Sequence, residues 1–457
     1  MGGAVTPARR AAYEVLRRCF EHGAWADRAL PAALERAGVG ERERAQAQWL
    51  AYGAVQRRGT SDALIKRLSG RKPGSLDAPV LAALRLGLYE VLYGRDGAHA
   101  AVDGAVELAK GGMGRRGSRR AEAAAGFVNA LLRRATRERE QLLGSLGDAT
   151  PAEAAIAHSV PLWLAELWWR ELGAEEARSL LRACNEQLET GLRVNTLRAV
   201  PAELRARLEA EGCRLPAPPE RPDPLWPPEA LAVRGALPEP ITRRLESGEL
   251  LPQSRAAQAA VALLDPRPGE RVLDLCAGPG LKTTAIAARL RGQGEAVAVE
   301  RDADRAAQIE EFCRRAGAEN VRVVHADARN AAVGRGYDRV LVDPPCSDLG
   351  ALASRPDARW RKDPAAIDEL AQLQGELLAA GAAALARGGT LVYSTCTISR
   401  RENEDVVAAA LAEGGLVADE LGAQAPALAS PHDPRFLQSR PDRDGTDGFF
   451  YARLRHA

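Results

Sequence analysis

The chain has 457 residues, of which 46% are hydrophobic and 27% charged, an ordinary balance for a water-soluble globular protein. Its net charge of +2 excludes a uniformly basic surface, so any attraction for nucleic acid must be local. The length corresponds to roughly two to four domains. The opening MGGAVTPARR lacks the apolar core of a secretion signal. LAALRLGLYEVLY, broken by Arg85, is too short to span a bilayer, so no membrane partner is expected. Seven scattered cysteines without a CxxC pair imply reduced thiols, a cytoplasmic setting and no metal site.

Residues 1–142 read as helical. Ala12, Val15, Leu16, Cys19 and Phe20 form one apolar stripe at helical spacing, and Leu81, Leu84, Leu88, Val91 and Leu92 form another. Phe127, Val128, Leu131 and Leu132 repeat the pattern, with breakers at Lys72-Pro73-Gly74 and Gly111-Gly112. A small helical bundle follows. It carries the local basic charge: Arg115, Arg116, Arg119 and Arg120 in a Gly-rich loop, then Arg133, Arg134 and Arg137 on the next helix. These residues read either as a solvated face or as phosphate contacts.

Residues 150–250 read as a small α+β region, with the alternating LRVNTLR as a strand and PAPPERPDPLWPP as a loop. Trp163, Trp168 and Trp169 at helical spacing read as core rather than as base-stacking platforms. From 251 to 457 the pattern becomes α/β. RVLDL, AVAVE, VRVVH, RVLVD and TLVYS are short apolar strands separated by helical stretches near 281–291, 302–316 and 364–386, and GFFYARL adds one more strand. A mostly parallel sheet covered on both faces is predicted.

DLCAGPGLKT follows the first of these strands. A Gly-rich turn there brings backbone close to a ligand and aims helix N–H groups at it. A P-loop is excluded because Cys276 and Leu281 occupy its glycine positions, and a dinucleotide fingerprint because Thr283 occupies the third glycine. An S-adenosylmethionine site remains. Glu300, ending the next strand, suits the ribose hydroxyls, and Asp327, ending the third, suits an adenine amino group.

Two cysteines follow later strands: Cys346 behind Asp343-Pro344-Pro345, and Cys396 behind Ser394-Thr395. An isolated free cysteine is ordinarily a small buried hydrophobe. Two of them at ligand-side strand ends, beside a methyl donor, suit C5 methylation of a pyrimidine. A thiolate adding at C6 makes C5 nucleophilic, and loss of the C5 proton later expels the thiolate. Asp343 suits the N3/N4 edge of the base. The second cysteine would assist proton removal or release of the adduct.

DLCAGPGLKT, VDPPCSDLG, RPDARWRKDPAAIDELAQLQ and TLVYSTCTISRRENE together resemble the NOL1/NOP2/Sun family of RNA cytosine-C5 methyltransferases. AAYEVLRRC, RLGLYEVLYG, HAAVDGAVELAK and GFVNALLRR resemble the helical RNA-binding domain of the NusB antitermination factor. The combination is similar to enzymes that methylate small-subunit ribosomal RNA. The resemblance implies a Rossmann-like fold and S-adenosylmethionine as cofactor, held by Cys276, Ala277, Gly278, Pro279, Gly280, Leu281, Lys282, Glu300, Asp327 and Asp343. It implies Cys396 as nucleophile and Cys346 in product release, in a monomer acting on ribosomal RNA. Two departures stand out. Leu281 replaces a usual glycine, which would strain the turn if that position needs positive φ. Ser254 stands where the family tends to be acidic. The rival readings are an amino-group methyltransferase using the Asp-Pro-Pro turn, which leaves Cys396 without a task, and a non-catalytic RNA-binding assembly factor.

Overall fold

The computed structural model describes residues 5–94, 97–114, 117–330 and 332–456, and it divides into two compact units. Arg115 and Arg116 lie outside the described residues. The first unit comprises residues 1–186 together with 355–361. Its helices run from Pro7–Glu21 to Ala174–Ala183. The three predicted stripes converge on one core, in which Leu16, Leu84, Leu88, Val128 and Leu132 are fully buried. The charges inside LAALRLGLYEVLY are paired: Arg85 Nη2 lies 2.8 Å from Asp62, and Arg9 Nε donates to Glu90 at 2.9 Å. Without those partners such burial would be costly. Trp168 is wholly buried, as its spacing predicts.

Residues 355–361 are enclosed by this helical unit. Arg359, with no exposed surface, donates to the carbonyls of Ser159 and Cys184 and to Asn185 Oδ1. Trp360 Nε1 donates to Val55 O at 3.0 Å, and Arg361 lies over the Trp25 ring.

The second unit holds residues 187–354 and 362–457. It begins with an antiparallel three-stranded sheet, β1 (Thr190–Val194), β2 (Ala230–Val233) and β3 (Leu250–Pro252), in the order β2-β1-β3. The large sheet contains β4 (Arg271–Leu275), β5 (Glu295–Glu300), β6 (Val321–His325), β7 (Tyr337–Val342), β8 (Leu385–Thr395), β9 (Leu416–Ala418), β10 (Leu437–Gln438) and β11 (Phe450–His456). Its order is β10-β11-β8-β7-β4-β5-β6, with β9 also pairing β11. Strands β4 to β8 are parallel, and β11 runs antiparallel to β8.

Period-two alternation sends successive side chains to opposite faces. Leu273, Leu275, Val340, Val342, Leu391 and Tyr393 pack on one side, with Leu377 and Leu378 of the helix Pro364–Ala384. Val272, Leu341 and Val392 pack on the other, with Ala256, Ala259 and Ile286 of the helices Arg255–Leu264 and Leu281–Arg289. The helix expected to reach residue 386 ends at Ala384, because β8 begins at Leu385 and runs eleven residues.

The small sheet is tied to the large one by a buried arginine. Arg193 of β1 donates to Gln253 Oε1 at 2.7 Å, to Thr284 Oγ1 at 2.8 Å and to Leu281 O at 3.3 Å. Gln258 Nε2 returns to Leu192 O and Gln253 O. Ser254 caps the helix Arg255–Leu264, its Oγ accepting from Ala257 N at 3.3 Å. Serine and aspartate are comparable N-caps, so the missing acidic residue leaves this helix start intact.

Candidate active site

The chain order along the sheet reverses at β4: β5 and β6 lie on one side, β7 and β8 on the other. Open α/β sheets bind ligands beyond the carboxyl ends of the strands at such a switch point. The Gly-rich turn leaves β4 there. Cys276 has φ +64° and Gly280 φ +99°, and the helix Leu281–Arg289 starts directly after Gly280. The left-handed positions of the turn are therefore Cys276 and Gly280, and Leu281 is already helical. The bulk at residue 281 carries no backbone strain.

Gly278 faces Glu300. Its N–H donates to Glu300 Oε2 at 3.1 Å, and a Cβ on it would stand 2.4 Å from that oxygen. Glu300 is buried at the end of β5 and also accepts from Asp302 N. Asp327, after β6, is gripped by Arg329, which holds its carboxyl down at about 2. Asp274 at the root of the turn is buried and accepts from Thr283 Oγ1 at 2.6 Å, while its Oδ1 has no protein partner. Burial pushes its carboxyl up to about 7.

Lys282 and Asp343 span β4 to β7. Lys282 Nζ donates to Asp343 Oδ2 at 2.7 Å, and Ser394 Oγ donates to Asp343 Oδ1 at 3.0 Å. Burial alone would lower the Lys282 ammonium, but the Asp343 carboxylate outweighs it and the net shift is upward. The ammonium also lies 5.3 Å from the Phe449 ring centroid.

The two cysteines meet. Cys346 Sγ lies 3.3 Å from Cys396 Sγ, although 50 residues separate them. Cys396 Sγ in turn donates to Asp348 Oδ1 at 3.0 Å. Asp348 has φ +60°, a left-handed turn just past Cys346. It was not among the expected residues; the Asp-Leu-Gly that follows the Pro-Pro-Cys-Ser turn was its only sequence signal. Cys276 is a different kind of thiol. Burial, then the surrounding carboxylates led by Asp343, push it up to about 12, so it stays neutral.

Two further residues missed by sequence reasoning are Glu402 and Asn403. RRENED reads as the start of a covering helix with acidic residues in its first turns. The helix instead begins at Glu404, and Glu402 lies before it in a short 3-10 turn with no exposed surface.

Of the basic residues, Arg119, Arg120, Arg133 and Arg134 share the helix Arg119–Arg137 and are exposed. Arg120 is paired with Asp77, and Arg134 with Glu138. A groove of about 550 Å³ between the helices Pro364–Ala384 and Glu404–Ala412 is lined by Asp368, Glu376, Arg401 and Glu413, and by none of the candidate cofactor residues or the two thiols.

A doubly wound sheet, a Gly-rich turn after its first strand and acidic residues at the next two strand ends define a Rossmann-like methyltransferase. Comparison with known proteins narrows the class. Residues 261–455 match the family model described as 16S rRNA methyltransferase RsmB/F. Residues 6–137 match the NusB family, and 160–233 the ferredoxin-like domain of RsmF/B-like methyltransferases. The ribosomal RNA small subunit methyltransferase B of Erwinia tasmaniensis is 32% identical over 457 residues, 98% of this chain and 99% of that protein. The crystal structure of PH0851 superimposes with a TM-score of 0.80 at 28% identity, covering all of both chains. The structure of NSun6 from Pyrococcus horikoshii with SFG gives 0.58 at 25% identity, covering 65% of this chain and 98% of that one. The chain belongs to the RsmB/F family of 16S ribosomal RNA methyltransferases.

Proposed function

We propose that the protein transfers a methyl group from S-adenosylmethionine to C5 of a cytosine in small-subunit ribosomal RNA, through a covalent adduct between Cys396 and C6. The observation that carries this reading is the pair of thiols 3.3 Å apart, beside the Lys282–Asp343 pair. An amino-group methyltransferase has no use for two adjacent thiols.

The cofactor residues suit that donor. Gly278 leaves space where a side chain would collide with Glu300, and Glu300 is the acid for the ribose hydroxyls. SFG, bound in the NSun6 structure, is an analogue of S-adenosylmethionine. The cofactor supplies an electrophilic methyl group. The remaining work falls to the chain. Cys396, as thiolate, adds to C6, and the C5–C6 π electrons move into the ring, where Asp343 holds the N3/N4 edge. C5 then takes the methyl group as its bond to the cofactor sulfur breaks, the electron pair staying on sulfur to leave S-adenosylhomocysteine. Removal of the C5 proton returns an electron pair to C5–C6 and expels Cys396 as thiolate. Cys346, in contact with the leaving sulfur, assists that last stage. The exposed arginines of the helix Arg119–Arg137 serve as phosphate contacts, adding salt-dependent affinity without base specificity.

The test is to incubate the protein with methyl-labelled cofactor and small-subunit ribosomal RNA and to map 5-methylcytosine. Label confined to adenine or to protein would overturn the reading, as would full turnover by Cys396→Ala.

A further inference from the structure

The loops carrying the two thiols are joined by one carboxylate. Ser347, directly after Cys346, donates its backbone N–H to Glu402 Oε1 at 2.8 Å and its hydroxyl to Oε2. Thr397, directly after Cys396, lies 3.3 Å from the same Oε2, and the Ser347 and Thr397 hydroxyls are 2.7 Å apart. Gln374 Nε2 donates both to Glu402 Oε1 at 3.0 Å and to Pro345 O at 2.9 Å, which adds the residue before Cys346. Tyr393 OH donates to the Glu402 carbonyl at 2.7 Å, anchoring the acid to β8. Its neighbour Asn403 acts on one loop only: Thr395 Oγ1 donates to its Oδ1, and its Nδ2 donates to Thr397 O.

A carboxylate without exposed surface is costly to bury, and burial does push the Glu402 carboxyl upward against these hydrogen bonds. A single-loop cap would not need such a group. Fixing two loops to each other does, because one acceptor with two oxygens can receive donors from both. Reacting groups held by supporting hydrogen bonds keep their geometry through the reaction.

We propose that Glu402 is a positioning residue that sets the separation of the Cys346 and Cys396 thiols, so that Cys346 can act on the adduct formed by Cys396. This deepens the cysteine-adduct reading and rests on it for the role of the spacing. Glu402→Gln keeps the acceptor for Ser347 N and Gln374 but replaces the shared oxygen with a donor.

The test uses the full chain. Phenylarsine oxide, which bridges two adjacent thiols, is titrated into the protein without RNA or cofactor. Adduct formation and adduct release are then timed separately in single-turnover reactions with the RNA. Glu402→Gln should bind the arsenical at least about tenfold more weakly and slow adduct release more than adduct formation, with S-adenosylhomocysteine affinity unchanged. Ser347→Ala should shift both in the same direction, less strongly, and replaces Glu402→Gln should that variant not fold. Asn403→Ala should leave the ratio of release to formation nearer the unsubstituted value. Unchanged arsenical affinity together with an unchanged ratio would overturn the proposal. If the unsubstituted protein binds the arsenical tightly and Glu402→Gln does not, while no RNA adduct ever forms, the positioning stands and the adduct reading falls.

Discussion

Lys282 Nζ donates to Asp343 Oδ2 at 2.7 Å, linking the helix after β4 to the loop after β7 across the point where the sheet changes direction. Lys282→Met would leave Asp343 with Ser394 alone. A charge-assisted hydrogen bond of this kind contributes about 1.5–3 kcal/mol, so methyl transfer is expected to fall by about tenfold to a hundredfold. Steady-state kinetics with S-adenosylmethionine varied would check it. The ammonium is raised above its usual 10.5 in the folded chain. Its contribution to stability is therefore whole below that pH and is lost only as pH rises through the raised value.

Gly278→Ala should weaken cofactor binding. The added methyl would meet Glu300 Oε2 at 2.4 Å and push it from its hydrogen bond with residue 278. Overpacking costs roughly 1–3 kcal/mol, or about five- to a hundredfold in affinity. Calorimetric titration with S-adenosylhomocysteine reads this directly, and an unchanged dissociation constant would exclude Gly278 from the cradle.

Asp274 predicts an unusual pH dependence of stability. Its carboxyl is raised from 3.8 to about 7 by burial. Its contribution to stability is present below pH 3.8 and declines as pH rises toward 7, by up to about 4 kcal/mol. Asp274→Asn removes the titrating group. Thermal melts at pH 5.5 and 8 should show a smaller difference in the variant than in the unsubstituted protein.

The thiol pair predicts sensitivity to oxidation. A diazene such as diamide should take two electrons and two protons from Cys346 and Cys396, giving a disulfide and the hydrazine. Intact mass should fall by about 2 Da, with loss of activity that dithiothreitol reverses. Cys346→Ser should not form this bond. Retained activity in the oxidised protein would contradict the placement of both thiols at the reacting centre.

The sheet was readable because its buried strands are short apolar runs bounded by breakers, and RVLDL, AVAVE and RVLVD appear almost residue for residue. The two-residue β10 and three-residue β9 carry no such period. At the site, residue type and strand position brought Glu300, Asp343, Cys346 and Cys396 forward as candidates. Distance was not readable: nothing in a 50-residue separation says that two sulfurs touch. Glu402 was misjudged because acidic residues near a helix start ordinarily face water and the helix dipole. Its real partners, Ser347 and Gln374, lie 55 and 28 residues away in the chain. Leu281 was uncertain because one residue decides where a turn becomes a helix.

Residues 355–361 carry a consequence for dissecting the protein. The helical unit is discontinuous in sequence, and one of its pieces is spliced into the methyltransferase half between Ser354 and Lys362. Expressed alone, residues 187–457 would keep Arg359 yet lose the carbonyls of Ser159 and Cys184 and the amide of Asn185 that receive it. Trp360 would lose its acceptor at Val55. A cut at residue 186 therefore amputates rather than separates: the shortened chain would present a stranded cation and a bare indole on the loop that follows Cys346.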